Sequence, residues 1–244
     1  MLGSDSALRR LPPQLERRQM LLFDALRHAA EIVDLGYRRL QHSLTAIAEA
    51  QVAGDETKDT YTAAFLDAWA MIDAIYKIRG ILINLDAAGF SEREPADGSP
   101  KATAFTETIA KVRNIGDHIV GTADQIIAAS STALGILSWF TPLDTNPARG
   151  VSCVLAPGTI ADLKASLVNP LGQECDLPSG LITLQAGKYK VSLSDAFRST
   201  VAVVERIEVG LDHVFKEKGV QGQHAGSDML LVGVFEFAPA ARPT

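Results

Sequence analysis

Apolar residues recur at three- and four-residue spacing along most of the first 130 positions, which predicts long amphipathic helices. The Pro12-Pro13 pair marks the start of the first helix, because proline is tolerated only in a first turn. Asp55 is the expected N-cap of the second helix, and Ser99-Pro100 is a start signal for the third. The three predicted helices span residues 13–51, about 55–85 and about 100–130.

Beyond residue 130 the pattern becomes that of short strands separated by Gly and Pro. The predicted strand segments are Leu134–Phe140, Gly150–Ala156 and Leu181–Leu193, the last being a hairpin that turns at Ala186-Gly187. The helical period then returns from Ser194 and ends with a basic turn and Gly219. Residues 229–237 are apolar and predict one more strand, which is expected to pair with Leu181–Leu193 because its side chains otherwise lack burial.

These elements predict a single mainly α domain, an antiparallel four-helix bundle with a small antiparallel β insertion before the last helix. A chain of 244 residues can bury a core without a metal or disulfide. The predicted parts are residues 13–130 for helices one to three, 131–193 for the β-rich insertion, 194–219 for the fourth helix, and 220–244 for a tail with a strand.

The composition excludes some classes of protein. Hydrophobic residues make up 47% and charged residues 21%, which is typical of a globular protein and not of a disordered one. The net charge of −6 excludes a generally basic nucleic-acid coat. No apolar run approaches the ~18 residues of a membrane span, and Met1–Leu11 lacks the apolar core of a signal peptide, so a cytoplasmic protein without a membrane partner is expected.

Candidate metal and cofactor chemistry is sparse in the sequence. Cys153 and Cys175 lack paired ligand spacing, the histidines are scattered, and no phosphate-binding glycine loop is present, so neither a metal nor a cofactor is expected. The N-terminal part is rich in arginine, a pattern that is typical of a solvated helix face or, alternatively, of phosphate binding. The seven arginines of residues 1–45 are Arg9, Arg10, Arg17, Arg18, Arg27, Arg38 and Arg39.

One string in the predicted third helix carries candidate chemistry: Lys-Val-Arg-Asn-Ile-Gly-Asp-His-Ile over residues 111–119. Arg113, Asn114 and His118 in this string resemble the Arg-x(4–6)-His motif of the HEPN (higher eukaryotes and prokaryotes nucleotide-binding) superfamily of four-helix bundles, in which a polar residue often follows the arginine. The preceding helix, with Asp-Ala-Trp-Ala-Met-Ile-Asp over residues 67–73, is part of the resemblance. The likeness covers about residues 13–130 and 194–218.

The resemblance implies a metal-independent endoribonuclease of toxin or defence type that forms a homodimer through the third-helix face. It implies an RNA substrate, an antitoxin or other protein partner, and no cofactor. His118 is then expected to handle the proton of an RNA 2′-hydroxyl, while Arg113 stabilises the charge that develops on phosphate. Asn114 is expected to orient the substrate or His118. Asp117 and Gly116 are expected to assist in orientation or in approach of the substrate.

A second reading needs no catalysis. Residues of an ideal helix advance by about 100°, which separates Arg113 and His118 by about 140°. Arg113 and Asp117 are i,i+4 neighbours that predict a surface ion pair worth ~0.3 kcal/mol, and Asn114 and His118 predict a hydrogen bond. The alternative function is therefore a non-catalytic helical interaction or dimerisation module.

Overall fold

The chain folds into helices on one side of a small sheet, in a computed structural model that describes residues 1–55, 58–87, 102–145, 148–158, 165–226 and 228–234. A short 3-10 helix at Ala7–Arg9 precedes the main elements. These are α1 (Arg17–Ala53), α2 (Lys58–Ala87), α3 (Ala102–Asp117), α4 (Ile119–Ala128), β1 (Ile136–Thr145), β2 (Ala148–Leu155), β3 (Gly180–Ala186), β4 (Tyr189–Ser192) and α5 (Leu193–Glu217). The mainly helical class with a small antiparallel sheet is confirmed, and the four-helix bundle stays a prediction.

The first helix begins at Arg17, four residues later than Pro13, because a capping box sets its start. The Glu16 side chain accepts a bond from the backbone of Gln19, and the Gln19 side chain accepts one from the Glu16 N–H at 3.2 Å. Its end is Gly54, whose positive φ of 85° is unfavourable for other residues. The helices α1 and α2 bury their apolar faces in one core, to which they contribute Leu26, Leu40, Leu44, Phe65, Ile72 and Ile75.

The predicted third helix is broken into two, which corrects the sequence prediction. The α-helical backbone stops at His118, whose φ of −116° and ψ of 39° are not helical, and resumes in α4. The Thr122 hydroxyl lies 3.2 Å from the Ile115 carbonyl oxygen and 3.0 Å from that of His118, so it satisfies backbone acceptors at the break. Gly116, beside the break, further weakens the helix.

The four strands form an antiparallel sheet in the order β2-β1-β3-β4. Leu137 of β1 is paired with Leu155 of β2 and Leu184 of β3, and the predicted hairpin between β3 and β4 is confirmed. One face of the sheet packs on the helices through buried side chains that include Trp139, Ile182 and Leu184. The chain passes directly from β4 into α5, where the Ser192 side chain caps the helix by accepting a bond from the Asp195 N–H at 3.1 Å.

The predicted tail strand is wrong for the described residues 228–234, which form no strand. Their large apolar side chains, Met229, Leu230, Leu231, Val232 and Val234, are 78–90% exposed. Within the expected partner Leu181–Leu193, β3 is already paired with β1 and β4, and the described tail residues do not pair with the outer edge of β4. The Ala225 N–H instead donates to the Leu11 carbonyl oxygen at 2.7 Å, which draws the tail to the N-terminal segment. The end of the predicted strand, residues 235–237, lies outside the described residues.

Candidate functional site

Arg113 is held in place by three neighbours on α2 and α3. Its Nε donates to Asp73 Oδ1 at 2.8 Å, and its Nη1 lies 2.7 Å from Asp117 Oδ2. Its guanidinium carbon lies 4.5 Å from the centre of the Tyr76 ring, a cation–π distance. The hydrogen bond to Asp73 raises the pKa of Arg113 above its ordinary value. The predicted Arg113–Asp117 pair is confirmed, and the guanidinium charge is balanced within the chain.

Asn114 and His118 are both exposed but are not joined by their side chains. The His118 backbone N–H donates to the Asn114 carbonyl oxygen at 3.3 Å, and no side-chain bond links these two described residues. The predicted Asn114–His118 side-chain hydrogen bond is therefore wrong. The helix break changes the local direction of the chain at His118, so the angular separation of an ideal helix no longer applies to Arg113 and His118.

Gly116 lies against the indole of Trp69. A Cβ atom at this position would be 2.6 Å from Trp69 Cη2 and 2.7 Å from Cζ3, closer than side-chain carbons pack. The Trp69 Nε1–H donates to the Leu134 carbonyl oxygen at 3.0 Å, which fixes the ring from its other edge. The structure thus gives Gly116 a packing function at the junction of α2, α3 and the chain that leads into β1.

Two carboxylates of α2, Asp67 and Asp73, have cationic partners. Asp67 is buried and pairs with Arg39 Nε at 3.3 Å. Burial raises the pKa of Asp67 despite this pair. Asp73 is partly exposed and holds Arg113. Asp73 and Tyr76 are i,i+3 neighbours, and this spacing was the available signal that both could contact one group.

A stripe of apolar residues on α4 faces solvent beside the motif. Val120 is 91% exposed, and Ile127 is exposed as well. Together with the exposed Ala123 they follow i, i+3, i+7 spacing, which places them on one helix face.

A polar cluster around two buried hydroxyls, those of Tyr37 and Ser194, was missed by sequence reasoning. The Tyr37 hydroxyl donates to the Asp176 carboxylate and lies 2.9 Å from the Ser194 hydroxyl. Arg198 Nη1 lies 3.1 Å from Asp176 Oδ1, and Arg198 also pairs with Asp195 at 2.5 Å. Burial and the Asp176 contact raise the pKa of Tyr37 well above its ordinary value. Tyr37 is 139 residues from Asp176 and 157 from Ser194, so no local motif could show that these three meet.

The described residues offer little for a metal or a membrane. In that part of the chain no group of three or more His, Cys, Asp or Glu side chains could hold a metal ion. Cys153 and Cys175 are free thiols, and burial raises the pKa of both. Over the same ranges, none of the helices has the length and apolar character needed to cross a membrane.

Comparison with known proteins gives no relative. No protein-family model, curated protein or solved structure matches the chain. The HEPN resemblance therefore stays a prediction based on the residues 111–119 and the predicted helices around them.

Proposed function

We propose that this protein is a helical interaction module, of the bundle type that the HEPN resemblance implies, and that it forms a homodimer through α4 and the end of α3. The exposed apolar stripe of Val120, Ala123 and Ile127 is the observation that carries the proposal. An apolar patch is self-complementary across a two-fold axis without any need for opposite charges. Monomeric proteins seldom leave contiguous apolar patches of several hundred Å² in water.

The charges around Arg113 favour this function over RNA cleavage. Asp73 and Asp117 both contact the guanidinium, so one cation is balanced by two carboxylates. Asp124, which is exposed on α4, adds a third acid. A phosphate that approaches this surface meets net negative charge, which opposes association, whereas an apolar partner surface loses nothing to this field.

The test is the oligomeric state of the full chain by sedimentation velocity, with Val120→Asp as the variant. We expect a dimer that Val120→Asp converts to a monomer, because a buried aspartate would lose its hydration at the interface. The helix content should be unchanged, because the Val120 side chain is exposed in the isolated subunit.

Val209→Asp is the matched control, because Val209 is an exposed valine on α5. It should leave the dimer intact. A wild-type chain that remains monomeric at about 100 μM, well above the micromolar dissociation constants of weak but specific complexes, contradicts the proposal. If Val209→Asp dissociated the dimer and Val120→Asp did not, the interface would lie on α5 instead of α4.

A metal-independent endoribonuclease is the second candidate. It is favoured by His118, which is exposed at a helix break and has no side-chain partner within the described ranges, and by the nearby fixed Arg113. RNA cleavage that persists in EDTA and is lost in both Arg113→Ala and His118→Ala would support it. His213→Ala is the control, since His213 also follows an arginine, Arg206, at the motif's spacing. Cleavage that survives both motif substitutions excludes this function.

A further inference from the structure

A cavity of about 520 Å³ lies between the N-terminal segment, α1 and the chain that follows α5. This volume is within the range of small-molecule binding sites, about 300–1,000 Å³. One part of its wall is cationic and another is apolar. The cationic side chains are Arg9 and Arg27, with His28 beside them, and the apolar ones are Leu8, Leu11 and Met20.

Arg27 is the centre of the cationic wall. It is only 7% exposed, although the sequence suggested a solvated arginine. Its Nη1 and Nη2 donate to the two carboxylate oxygens of Asp228 at 3.0 and 2.6 Å, and its Nε, also buried, has no hydrogen-bond partner. A buried guanidinium requires an anion nearby, because an unpaired buried charge is costly. Asp228 supplies that anion in a bidentate geometry.

The other acids near the cavity do not replace Asp228. Asp24 Oδ1 lies 3.8 Å from Arg27 Nη2, too far for a hydrogen bond. Glu31 is paired with Arg9 at 2.5 Å and lies 3.5 Å from His28 Nδ1. Without Asp228, Arg27 would keep no hydrogen-bonded carboxylate, only the contact of its Nη2 with His28 Nε2 at 3.1 Å and the long contact with Asp24.

Asp228 comes from a segment with few other attachments. Its side chain is largely exposed, and the apolar residues that follow it pack on nothing within the described structure. The hydrogen bond from Arg27 lowers the pKa of Asp228, so it is a carboxylate at neutral pH. The carboxylate is therefore a tethered anion at the mouth of the cavity rather than a part of the packed wall.

We propose that this cavity binds a small carboxylate with an apolar body, and that Asp228 is an internal ligand that such a molecule replaces. The carboxylate would take the bidentate position on Arg27, so one anion replaces another and the buried charge stays paired. The alkyl part would contact Leu8, Leu11 and Met20, where it leaves water. This site is separate from α4, and it does not depend on the proposed dimer.

The test is the affinity of the full chain for hexanoate by isothermal titration calorimetry. Asp228→Asn removes the competing carboxylate and should strengthen hexanoate binding by about tenfold or more, as expected for a freed charge-assisted contact. Asp212→Asn is the matched control, since it removes the same charge from an exposed position on α5. It should leave the affinity unchanged.

Two further probes separate the parts of the proposal on the Asp228→Asn chain. Hexan-1-ol lacks the charge and inorganic phosphate lacks the apolar body, so both should bind at least about tenfold more weakly than hexanoate. Equal binding of hexanoate and hexan-1-ol would overturn the role of Arg27, and equal binding of phosphate would overturn the role of the apolar wall. Equal hexanoate affinities of the Asp228→Asn and Asp212→Asn chains would overturn the whole proposal. None of these comparisons requires replacement of the buried Arg27, so none depends on the folding of such a variant.

Discussion

Replacement of Gly116 by alanine tests the packing at the candidate site most directly. The added methyl group would lie 2.6–2.7 Å from two ring carbons of Trp69, where normal contact begins near 3.4 Å. The ring cannot simply turn away, because its Nε1–H is bound to the Leu134 carbonyl oxygen at 3.0 Å. Either α3 moves away from α2, or the ring shifts and this hydrogen bond is lost.

The expected cost can be worked from these contacts. Overpacking of a well-packed site costs about 1–3 kcal/mol, and loss of the indole hydrogen bond costs about 1 kcal/mol more. Alanine is favoured over glycine in a helix interior by about 1 kcal/mol, which offsets part of the loss. Gly116→Ala should therefore lower the free energy of unfolding by about 1–3 kcal/mol.

Gly121→Ala is the matched control, because Gly121 is also helical and a Cβ there has no atom within 4 Å. It should stabilise the chain by up to about 1 kcal/mol through helix propensity alone. The assay is guanidinium unfolding followed by circular dichroism. The addition of Trp69→Phe to Gly116→Ala should recover part of the loss, since the smaller ring makes room. A Gly116→Ala chain as stable as the Gly121→Ala chain would refute the Trp69–Gly116 contact.

Three further predictions concern buried groups. Ser194→Ala removes the acceptor of the buried Ile182 N–H and should lower the free energy of unfolding by about 1–3 kcal/mol in guanidinium; a change under about 0.5 kcal/mol, the scale of a neutral surface substitution, contradicts this. The folded state raises the pKa of Tyr37, so the unfolded chain releases this proton at lower pH. The free energy of unfolding should therefore fall as pH rises above 10.0, the ordinary tyrosine value. Tyr37→Phe should reduce this pH dependence in unfolding curves. Burial raises the pKa of Cys153, so iodoacetamide should alkylate the folded chain more slowly than the guanidinium-unfolded chain near neutral pH. Equal rates would contradict the burial of this thiol.

The elements that the sequence predicted well are those set by neighbouring residues. The β3–β4 hairpin follows from alternation on both sides of Gly187, whose φ of 53° suits the turn. The start of α5 was predicted at Ser194, one residue after its start at Leu193, and it is set by a local cap, the Ser192 hydroxyl on the Asp195 N–H. Such signals need no knowledge of the rest of the fold.

The errors share a different cause. The apolar period continues through His118, but the break there depends on the Thr122 hydroxyl and its two carbonyl partners. The tail was expected to pair with Leu181–Leu193 because its residues are apolar, but β3 has both edges occupied by β1 and β4, and the described tail residues do not use the outer edge of β4. The hydrophobic pattern shows which side chains favour burial, but it does not show which strand or helix covers them, and the tail side chains are exposed within the described residues.

The candidate site divides in the same way. The Arg113–Asp117 pair follows from i,i+4 spacing, whereas the Asp73–Arg113 bond joins residues 40 apart and requires the packing of α2 on α3. The Arg27–Asp228 pair joins residues 201 apart, so the sequence could not show that Arg27 is buried. Long-range ion pairs therefore fix Arg113 and Arg27, which the sequence alone shows only as charged helix residues.

The Asp73–Arg113 pair distinguishes the two proposed functions. Both side chains are partly exposed, so Asp73→Asn should lower the free energy of unfolding by no more than about 1 kcal/mol. If Arg113 binds a phosphate of RNA, loss of the competing Asp73 carboxylate frees its Nε and reduces the negative field. RNA affinity and cleavage by Asp73→Asn should then exceed those of Asp212→Asn, the control that changes the net charge equally. If the protein is an interaction module, filter-binding and cleavage assays should give the same RNA signal for both variants, because Arg113 then has only its structural partners to lose.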